Sequence, residues 1–285
     1  MLSDEQVNQY RSEGYTVVLR LFDGPEIASL LAEVDRVSAG NTLARHDRTR
    51  VEMEPNQEAD GTLLRRIYEP CSYYEPYREL SQSEKLLECV EQLLGPDLEF
   101  HYSKINMKPP SIGSVVEWHQ DLSYYPLTNP DSVSILVYLE DADRENGCLQ
   151  VIPRRHRAAP MDHTRDGLFQ GRITESLDEN CSGSIALEAP AGSAIFMHAL
   201  TPHASVANRS ARSRRTLILS YRASDAYAIY LGEGTVAAEA HVRLIRGVKR
   251  PNARFGFTAF PIPRQGQRFR SLYELQEMSR QNQVA

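Results

Sequence analysis

The feature that most constrains the fold is a succession of short strand-like segments that begins at residue 98. Each segment is rich in β-branched and aromatic residues, which favour strands, and glycine or proline turns separate the segments. Asn146-Gly147 has the composition of a hairpin turn. Many short strands at such intervals predict a double-sheet jelly roll, that is, a cupin-like double-stranded β-helix. The predicted strands are 98–107, 132–139, 148–152, 184–187, 193–197 and 216–221.

Helix signals are concentrated before residue 98. Ser3 and Gln6 form a capping-box pattern, and Gly14 ends the helix that this pattern begins. The fold class is therefore mainly β with flanking helices, which we expect to pack on one sheet from outside. The predicted helices are about 3–12, a helix beginning at residue 23, and about 83–94, with a strand at 15–21 after the first helix.

The chain shows no internal repeat and no clear boundary, so we expect a single domain over 1–285. Its parts would be a helical N-terminal part at about 1–97, a jelly-roll core at about 98–225 and a C-terminal extension at about 226–285. Residues 40–62 are polar and irregular, which predicts a loop that serves either as a linker or as a lid over a site.

Charge and composition argue against several classes of partner. The formal net charge of −6 argues against nucleic acid. No stretch approaches the roughly 20 apolar residues that cross a bilayer, and the N-terminus lacks the pattern of a signal peptide. We expect a cytoplasmic protein that acts on a small molecule, and a homodimer is one assembly that the sequence allows. The cysteines form no C-x-x-C pair, so we expect reduced thiols at Cys71, Cys89, Cys148 and Cys181.

A metal site is predicted by His119 and Asp121. These two residues are two positions apart, so both can project from the same face of a strand or tight turn toward one ion. His203 offers a second imidazole about 80 residues later. Two neutral imidazoles and one carboxylate leave coordination positions open and suit non-haem Fe(II) oxygen chemistry. Taken alone, His-x-Asp is a weak motif, because a surface histidine beside a solvated acid has the same pattern.

Arg214 strengthens the metal hypothesis. It lies eleven residues after His203, where an apolar strand begins. An arginine at the mouth of that strand can hold a carboxylate through two charge-assisted hydrogen bonds, and the far end of 2-oxoglutarate requires such a partner. His198 and Arg209 have the same spacing, but Arg209 lies in a polar loop, so the pair formed by His203 and Arg214 is favoured. Of the other histidines, we expect His101 to be a core residue with satisfied hydrogen bonds. We expect surface positions for His46, His156, His163 and His241.

With these residues in place, the chain resembles the phytanoyl-CoA dioxygenase family of Fe(II)- and 2-oxoglutarate-dependent oxygenases over roughly residues 3–225. The matching segments are 14–18, 118–121, 141–153 and 203–205, together with Asn208 and Arg214. One departure is Arg154-Arg155-His156, where the family has Gly-Ser-His; it is a loop feature away from the metal motif.

The resemblance implies roles for individual residues. His119, Asp121 and His203 would bind Fe(II) as the catalytic centre, and Arg214 with Ser205 would hold 2-oxoglutarate, while O2 is the second co-substrate. Lys104 matches a position near the co-substrate in some relatives. Ser103-Lys104-Ile105-Asn106 stands where ectoine hydroxylases have a similar stretch, but four residues do not identify ectoine as the substrate. The implied reaction is oxidation of an unactivated C–H bond with release of succinate and CO2. Hydroxylation is favoured over halogenation, because related halogenases lack the carboxylate that Asp121 supplies. Desaturation, ring closure and epimerisation stay open as alternatives to hydroxylation.

The sequence says less about the substrate. Candidate pocket residues are aromatic or basic residues near the two motifs, although ordinary packing explains the aromatic ones equally well. A basic cluster near the C-terminus is either a solvated loop or a surface that attracts an anionic substrate such as a carboxylate or phosphonate. The pocket candidates are Trp118, Tyr124, Tyr125, Tyr221 and Arg222, and the cluster contains Arg243, Arg246, Lys249, Arg250 and Arg254.

Three functions remain open at this point. The first is a 2-oxoglutarate-dependent hydroxylase of a small metabolite. The second is a zinc hydrolase with the same two histidines and carboxylate, against which the arginine clamp argues. The third is a non-catalytic jelly-roll binding protein, against which the intact set of metal ligands argues.

Overall fold

The computed structural model describes residues 1–112, 114–177, 183–230, 232–264 and 272–284. Cys181, predicted as a reduced thiol, lies outside these ranges, whereas the other three cysteines are free and buried. Within the same ranges, no helix combines the length and the apolar character needed to span a bilayer.

The first two helices begin where the sequence predicts, and both have a capping box, although only the one at Ser3 was predicted. Ser3 and Gln6 form a capping box at α1, and Asp23 and Glu26 form a second one at α2. Gly14 ends α1 in the left-handed region at φ 86°, which glycine adopts without strain. The described helices are α1 (Asp4–Glu13), α2 (Gly24–Ser38), α3 (Pro70–Tyr73), α4 (Glu75–Ser81), α5 (Glu84–Leu94), α6 (Glu233–Glu239) and α7 (Leu272–Val284).

Twelve of the fourteen described strands form two antiparallel sheets, as predicted for a double-stranded β-helix, and the remaining two, β8 and β9, pair only with each other. The larger sheet has the order β1-β11-β6-β13-β4-β3-β2, with β14 pairing with one end of β4, and the smaller sheet has the order β10-β7-β12-β5. The strands are β1 (Tyr15–Val18), β2 (Val51–Met53), β3 (Leu64–Tyr68), β4 (Leu98–Lys108), β5 (Val116–His119), β6 (Ser132–Tyr138), β7 (Leu149–Val151), β8 (Thr164–Arg165), β9 (Leu168–Phe169), β10 (Ile185–Leu187), β11 (Ala194–His198), β12 (His203–Ser205), β13 (Arg214–Ala223) and β14 (Arg243–Arg246).

Apolar cores lie on both faces of the larger sheet. Leu217 on β13 packs on the outer face with residues of α2 and α5 such as Leu30 and Val90, which confirms that the N-terminal helices cover this sheet. The next residue, Ile218, points inward and packs with Leu149 of the smaller sheet, because successive strand residues face opposite sides. The inner face becomes polar toward one end of the two sheets, and the candidate site lies there.

Three local predictions need correction. The first strand ends at residue 18 rather than 21, because Arg20 turns the chain with a positive φ of 48°. The irregular segment 40–62 contains β2, which pairs with β3 at the edge of the larger sheet. Asn146-Gly147 forms a turn but not a hairpin, because the preceding strand β6 belongs to the larger sheet and the following strand β7 to the smaller one.

Several elements have no counterpart in the sequence analysis. The short helices α3 and α4 each have a proline in their first turn, which was the available signal. In the C-terminal extension, α6 packs against β4, β14 joins the larger sheet, and α7 packs against β5. The predicted boundaries fall between α5 and β4 and just after β13, but the assignment of the whole chain to one domain stays a prediction.

Candidate metal centre and adjoining cavities

The metal-site residues converge at the ends of two paired strands. His119 is the last residue of β5 and His203 the first of β12, and the two lie directly opposite each other in the antiparallel register. Asp121 follows in a short 3-10 turn, with its Oδ1 3.7 Å from Nε2 of His119 and 3.8 Å from Nε2 of His203. All three residues are buried, and one potential ligand atom from each lies within 4.8 Å of the others. The structure therefore brings together the three residues that the sequence singles out.

Backbone carbonyls fix the orientation of both imidazoles. Nδ1 of His119 lies 2.8 Å from the carbonyl oxygen of Glu117, and Nδ1 of His203 lies 3.0 Å from that of Thr201. Since a carbonyl can only accept, Nδ1 carries the hydrogen in each ring and Nε2 keeps its lone pair. Burial lowers the pKa of both histidines, so the unprotonated form that a metal requires is favoured.

The carboxylate of Asp121 divides its two oxygens between different partners. Burial acts to raise the pKa of Asp121, but His203 and Lys104 outweigh it and hold that pKa below the ordinary value. The hydroxyl of Ser134 donates to Oδ2 at 2.6 Å, which leaves Oδ1 facing the histidines. Two imidazole nitrogens and one carboxylate oxygen on one side of a site match a three-residue facial set for divalent iron. The donor set therefore fits this metal.

A small cavity of about 40 Å³ lies between the sheets beside these ligands, and its lining includes Arg214, Ser205 and Lys104. Arg214 is only 4% exposed, and its Nη1 donates to Thr216 at 2.8 Å. Its Nε has no hydrogen-bond partner among the described residues. A buried guanidinium nitrogen without an acceptor is costly, and a ligand carboxylate would satisfy it. This cavity fits the far end of a dicarboxylate.

A larger cavity of about 490 Å³ adjoins the metal-site residues and opens toward solvent. Tyr124 and Tyr125 line it, as the sequence predicts, and Lys104 lies at the boundary because it lines both cavities. Tyr124 holds its ring edge-on to His119, with centroids 5.5 Å apart, and its hydroxyl donates to the carbonyl of Gly171. The remaining lining includes residues of β3, β4 and α6.

The other substrate candidates do not reach either cavity in the described part of the chain. The prediction that Tyr221 lines the substrate pocket is wrong, because its ring packs in the outer core against Phe100. Its hydroxyl donates to the carbonyl oxygen of Ser81 at 2.7 Å. The same prediction for Arg222 is wrong, because its guanidinium is buried in ion pairs with acidic residues of β4 and α6. Trp118 precedes His119 on β5, so its side chain points to the opposite face of the strand.

The C-terminal basic cluster is largely neutralised by ion pairs. Arg246 pairs with Glu84 and Glu91, and the other three cations after it pair with acidic residues of β4 and nearby loops. None of the cluster residues lines either cavity. The idea that this cluster attracts an anionic substrate is therefore not supported by its position.

The remaining histidines differ in part from expectation. His163 is buried rather than exposed, and its Nε2 accepts from the backbone N–H of Gln120 at 3.0 Å, next to the metal-site residues. His101 is buried as expected, but neither ring nitrogen has a hydrogen-bond partner among the described residues. His198 packs against Tyr10 and His156 instead of approaching the metal-site residues.

Many residues that line the cavities could not be named from the sequence, and four of them are polar or aromatic groups from three different elements and a turn. Arg66 and Glu69 come from β3 and the turn after it, Thr235 from α6, and Tyr273 from α7. Two consecutive arginines within an apolar strand were an available signal for Arg66, whereas nothing local marks the other three.

Comparisons with known proteins point to one family. A family model described as phytanoyl-CoA dioxygenase (PhyH) matches residues 10–216. A protein of Stutzerimonas stutzeri, described as a probable alpha-ketoglutarate-dependent hypophosphite dioxygenase, is 33% identical over 78% of this chain and 79% of its own length. An ectoine dioxygenase of Bordetella parapertussis is 27% identical over 79% of this chain and 76% of its own length. The crystal structure of EctD from S. alaskensis with bound Fe is 25% identical, has a TM-score of 0.66, and covers 93% of this chain and 88% of its own.

Proposed function

Because the chain belongs to the phytanoyl-CoA dioxygenase family of iron- and 2-oxoglutarate-dependent oxygenases, we propose that it oxidises an unactivated C–H bond of a small-molecule metabolite, with hydroxylation as the favoured outcome. Succinate and CO2 are the other products. The observation that carries this proposal is the convergence of His119, Asp121 and His203 beside a buried arginine with an unsatisfied nitrogen.

In this proposal His119 and His203 bind Fe(II) through Nε2, and Asp121 binds it through Oδ1. The hydrogen bonds on the opposite ring nitrogens keep both lone pairs available and fix the ring planes before the metal arrives. When bound, the iron supplies the chemistry that couples decarboxylation of 2-oxoglutarate by O2 to C–H oxidation.

The far carboxylate of 2-oxoglutarate binds Arg214. The unpaired Nε of Arg214 supports this role, and Ser205 offers a hydroxyl in the same cavity. Lys104 lies at the boundary with the larger cavity, so its ammonium can contact either the co-substrate or the substrate. Burial of the arginine strengthens its attraction for a carboxylate, because few waters compete.

The substrate binds in the larger cavity. The rings of Tyr102, Tyr124 and Tyr125 line this cavity next to the metal ligands and exclude water from the reacting carbon. The named relatives act on compounds as different as hypophosphite and ectoine, so no single substrate is carried over to this chain.

Succinate formation tests this function. Purified protein with Fe(II), ascorbate and 2-oxoglutarate is expected to form succinate in an O2-dependent manner, even slowly and without a substrate. His119→Ala and Asp121→Ala are expected to reduce succinate formation to background. His46→Ala is the matched control, because His46 is distant from the metal-site residues in sequence and lines neither of the two cavities beside them. Tight zinc binding without any succinate would instead support the zinc hydrolase alternative.

A further inference from the structure

Arg66 is a buried cation that forms no ion pair within 4 Å among the described residues. It is 5% exposed, its Nε donates to Asn106 at 3.0 Å, and its Nη2 has no hydrogen-bond partner among the described residues. The preceding residue, Arg65, is different, because it forms ion pairs with Glu54 at 3.0 Å and Glu52 at 3.6 Å. Burial acts to lower the pKa of Arg66, but Tyr68, Tyr273 and Glu52 outweigh it and raise that pKa. The Nη2 nitrogen still lacks an acceptor, and a ligand oxygen would supply one.

Lys104 presents a second unpaired cation to the same cavity. In the described part of the structure its ammonium makes no hydrogen bond or ion pair, and it lies 5.3 Å from the centre of the Tyr102 ring. Arg66 and Lys104 belong to neighbouring strands, and Lys104 is paired in register with Tyr68, two residues after Arg66. The two cations are therefore close enough to act on one ligand.

The acidic residues of the cavity do not balance these cations. Asp121 is committed to the metal in the function proposed above. Glu69 lines the cavity, but its Oε2 already accepts from the backbone N–H of Ser103 at 2.9 Å. Burial raises the pKa of Glu69 to about 7 and lowers the pKa of Lys104 to about 8. At neutral pH the carboxyl group is therefore only partly charged, whereas the ammonium of Lys104 keeps most of its charge. The larger cavity therefore has an excess of positive charge where the substrate binds.

Helix α6 contributes a further hydrogen-bond donor to the larger cavity. Thr235 of α6 is 1% exposed and lines the larger cavity, and its hydroxyl has no hydrogen-bond partner within the described ranges. Donors from β3, β4 and α6 thus line one space, together with aromatic rings that suit an apolar body.

We propose that the substrate carries an oxyanion group, a carboxylate or a phosphonate, which binds to Arg66 and Lys104 in the larger cavity. This inference rests on the proposed function and names the substrate class of the same site. Arg66 supplies a planar guanidinium that suits an oxyanion, and Lys104 supplies a point charge beside it. Thr235 adds a neutral hydrogen bond to the same ligand.

A purely structural role for Arg66 is the competing explanation. Its guanidinium lies 4.9 Å from the centre of the Tyr273 ring and 5.7 Å from that of Tyr68, so it also contributes to packing. Loss of packing would weaken all ligands alike, whereas loss of an anion site would weaken charged ligands and spare neutral ones. The test therefore compares charged and neutral probes of matched shape.

The probes are pentanoate with pentanamide, and butylphosphonate with butane-1-sulfonamide, which is neutral and also ends in a tetrahedral group. Binding is measured by calorimetry without O2, on protein saturated with Fe(II) and 2-oxoglutarate, so that Arg214 is already engaged. We expect at least one anionic probe to bind about tenfold tighter than its neutral partner, and the two pairs distinguish a carboxylate from a phosphonate. In Arg66→Gln and Lys104→Gln this preference should fall by about tenfold, and Arg66→Lys should restore part of it.

Arg250→Gln is the matched control, because it removes a cation that is exposed and paired with Asp97. It should leave the preference unchanged. Equal binding of charged and neutral probes by the wild type, or an unchanged preference in both cavity variants, would overturn the inference. If Arg66→Gln does not fold, Lys104→Gln decides, because the Lys104 ammonium makes no hydrogen bond or ion pair among the described residues. Saturation with Fe(II) compensates for the lost charge beside Asp121. An anion preference in protein that forms no succinate would overturn the proposed function and leave the anion site standing.

Discussion

Ser134 donates a 2.6 Å hydrogen bond to Oδ2 of Asp121, and both residues are buried. Ser134 lies on β6 of the larger sheet, whereas His119 and His203 belong to the smaller one. The bond therefore connects the carboxylate to one sheet while the two imidazoles are positioned by the other. It fixes the rotamer of Asp121 so that Oδ1, and not Oδ2, faces the histidines.

Ser134→Ala should weaken metal binding by roughly tenfold, because partners that orient a metal ligand typically contribute 10- to 100-fold in affinity. A competitive titration of Mn(II) or Fe(II) measures this change. Ser220→Ala is the control, since Ser220 lies directly opposite Ser134 in the register and its hydroxyl has no partner among the described residues. Equal losses in the two variants would show that the effect is general packing and not carboxylate orientation.

Arg214→Gln should raise the concentration of 2-oxoglutarate needed for half-maximal succinate formation by roughly 10- to 100-fold, because a buried charge-assisted hydrogen bond is lost. Arg209→Gln removes the rival arginine, which is exposed in a loop, and should change nothing. A strong effect at Arg209 with none at Arg214 would mean that the co-substrate binds elsewhere.

Tyr221→Phe should lower the free energy of unfolding by about 1 kcal/mol and leave the apparent affinity for any identified substrate unchanged. The reason is that the hydroxyl donates to a buried carbonyl of Ser81 on the outer side of the sheet, away from both cavities. Chemical denaturation and substrate titration measure the two quantities. A changed substrate affinity together with an unchanged free energy of unfolding would mean that Tyr221 lines the substrate cavity after all.

Glu69 should make stability depend on pH. Its pKa in the folded protein is about 7 against an ordinary 4.5, chiefly because of burial, so ionisation is disfavoured in the fold. The stability contribution of this group is fully present below pH 4.5 and is lost as pH rises toward 7. Glu69→Gln cannot ionise, so its melting temperature should gain about 2–4 °C relative to wild type between pH 5 and pH 8. Glu75→Gln, at an exposed position of α4, controls for loss of a surface charge, and a parallel pH profile in both variants would contradict the account.

Much of the fold and the metal-site residues could be predicted because their signals are local. The capping boxes at Ser3 and Asp23 mark helix starts without reference to the rest of the chain. The spacing of His119 and Asp121 places two ligands together whatever the sheet order. The strands that pair with β7 are distant in sequence, so no local signal identifies them. The turn before β7 was therefore assigned to a hairpin that does not form.

The cavity walls depend on strand faces and long-range pairing, so fewer of them could be predicted. Alternation along β13 offered one unused signal: Arg214 and Tyr221 are seven positions apart and so face opposite sides. The paired arginines at 65 and 66 marked Arg66 as unusual in an apolar strand but did not place it in the cavity, and no signal exists for Thr235. Their side chains become cavity residues only because β3 pairs with β4 and because α6 packs against the same strand.

The most direct test of the account is the location of the metal. Crystals grown without O2 in the presence of Fe(II) and 2-oxoglutarate should show one anomalous iron peak per chain, bound by Nε2 of His119, Nε2 of His203 and an oxygen of Asp121. Asp121→Ala, treated in the same way, should lose the peak. An iron ion held by other residues in the wild type, or no ion at saturating Fe(II), would contradict the proposed centre.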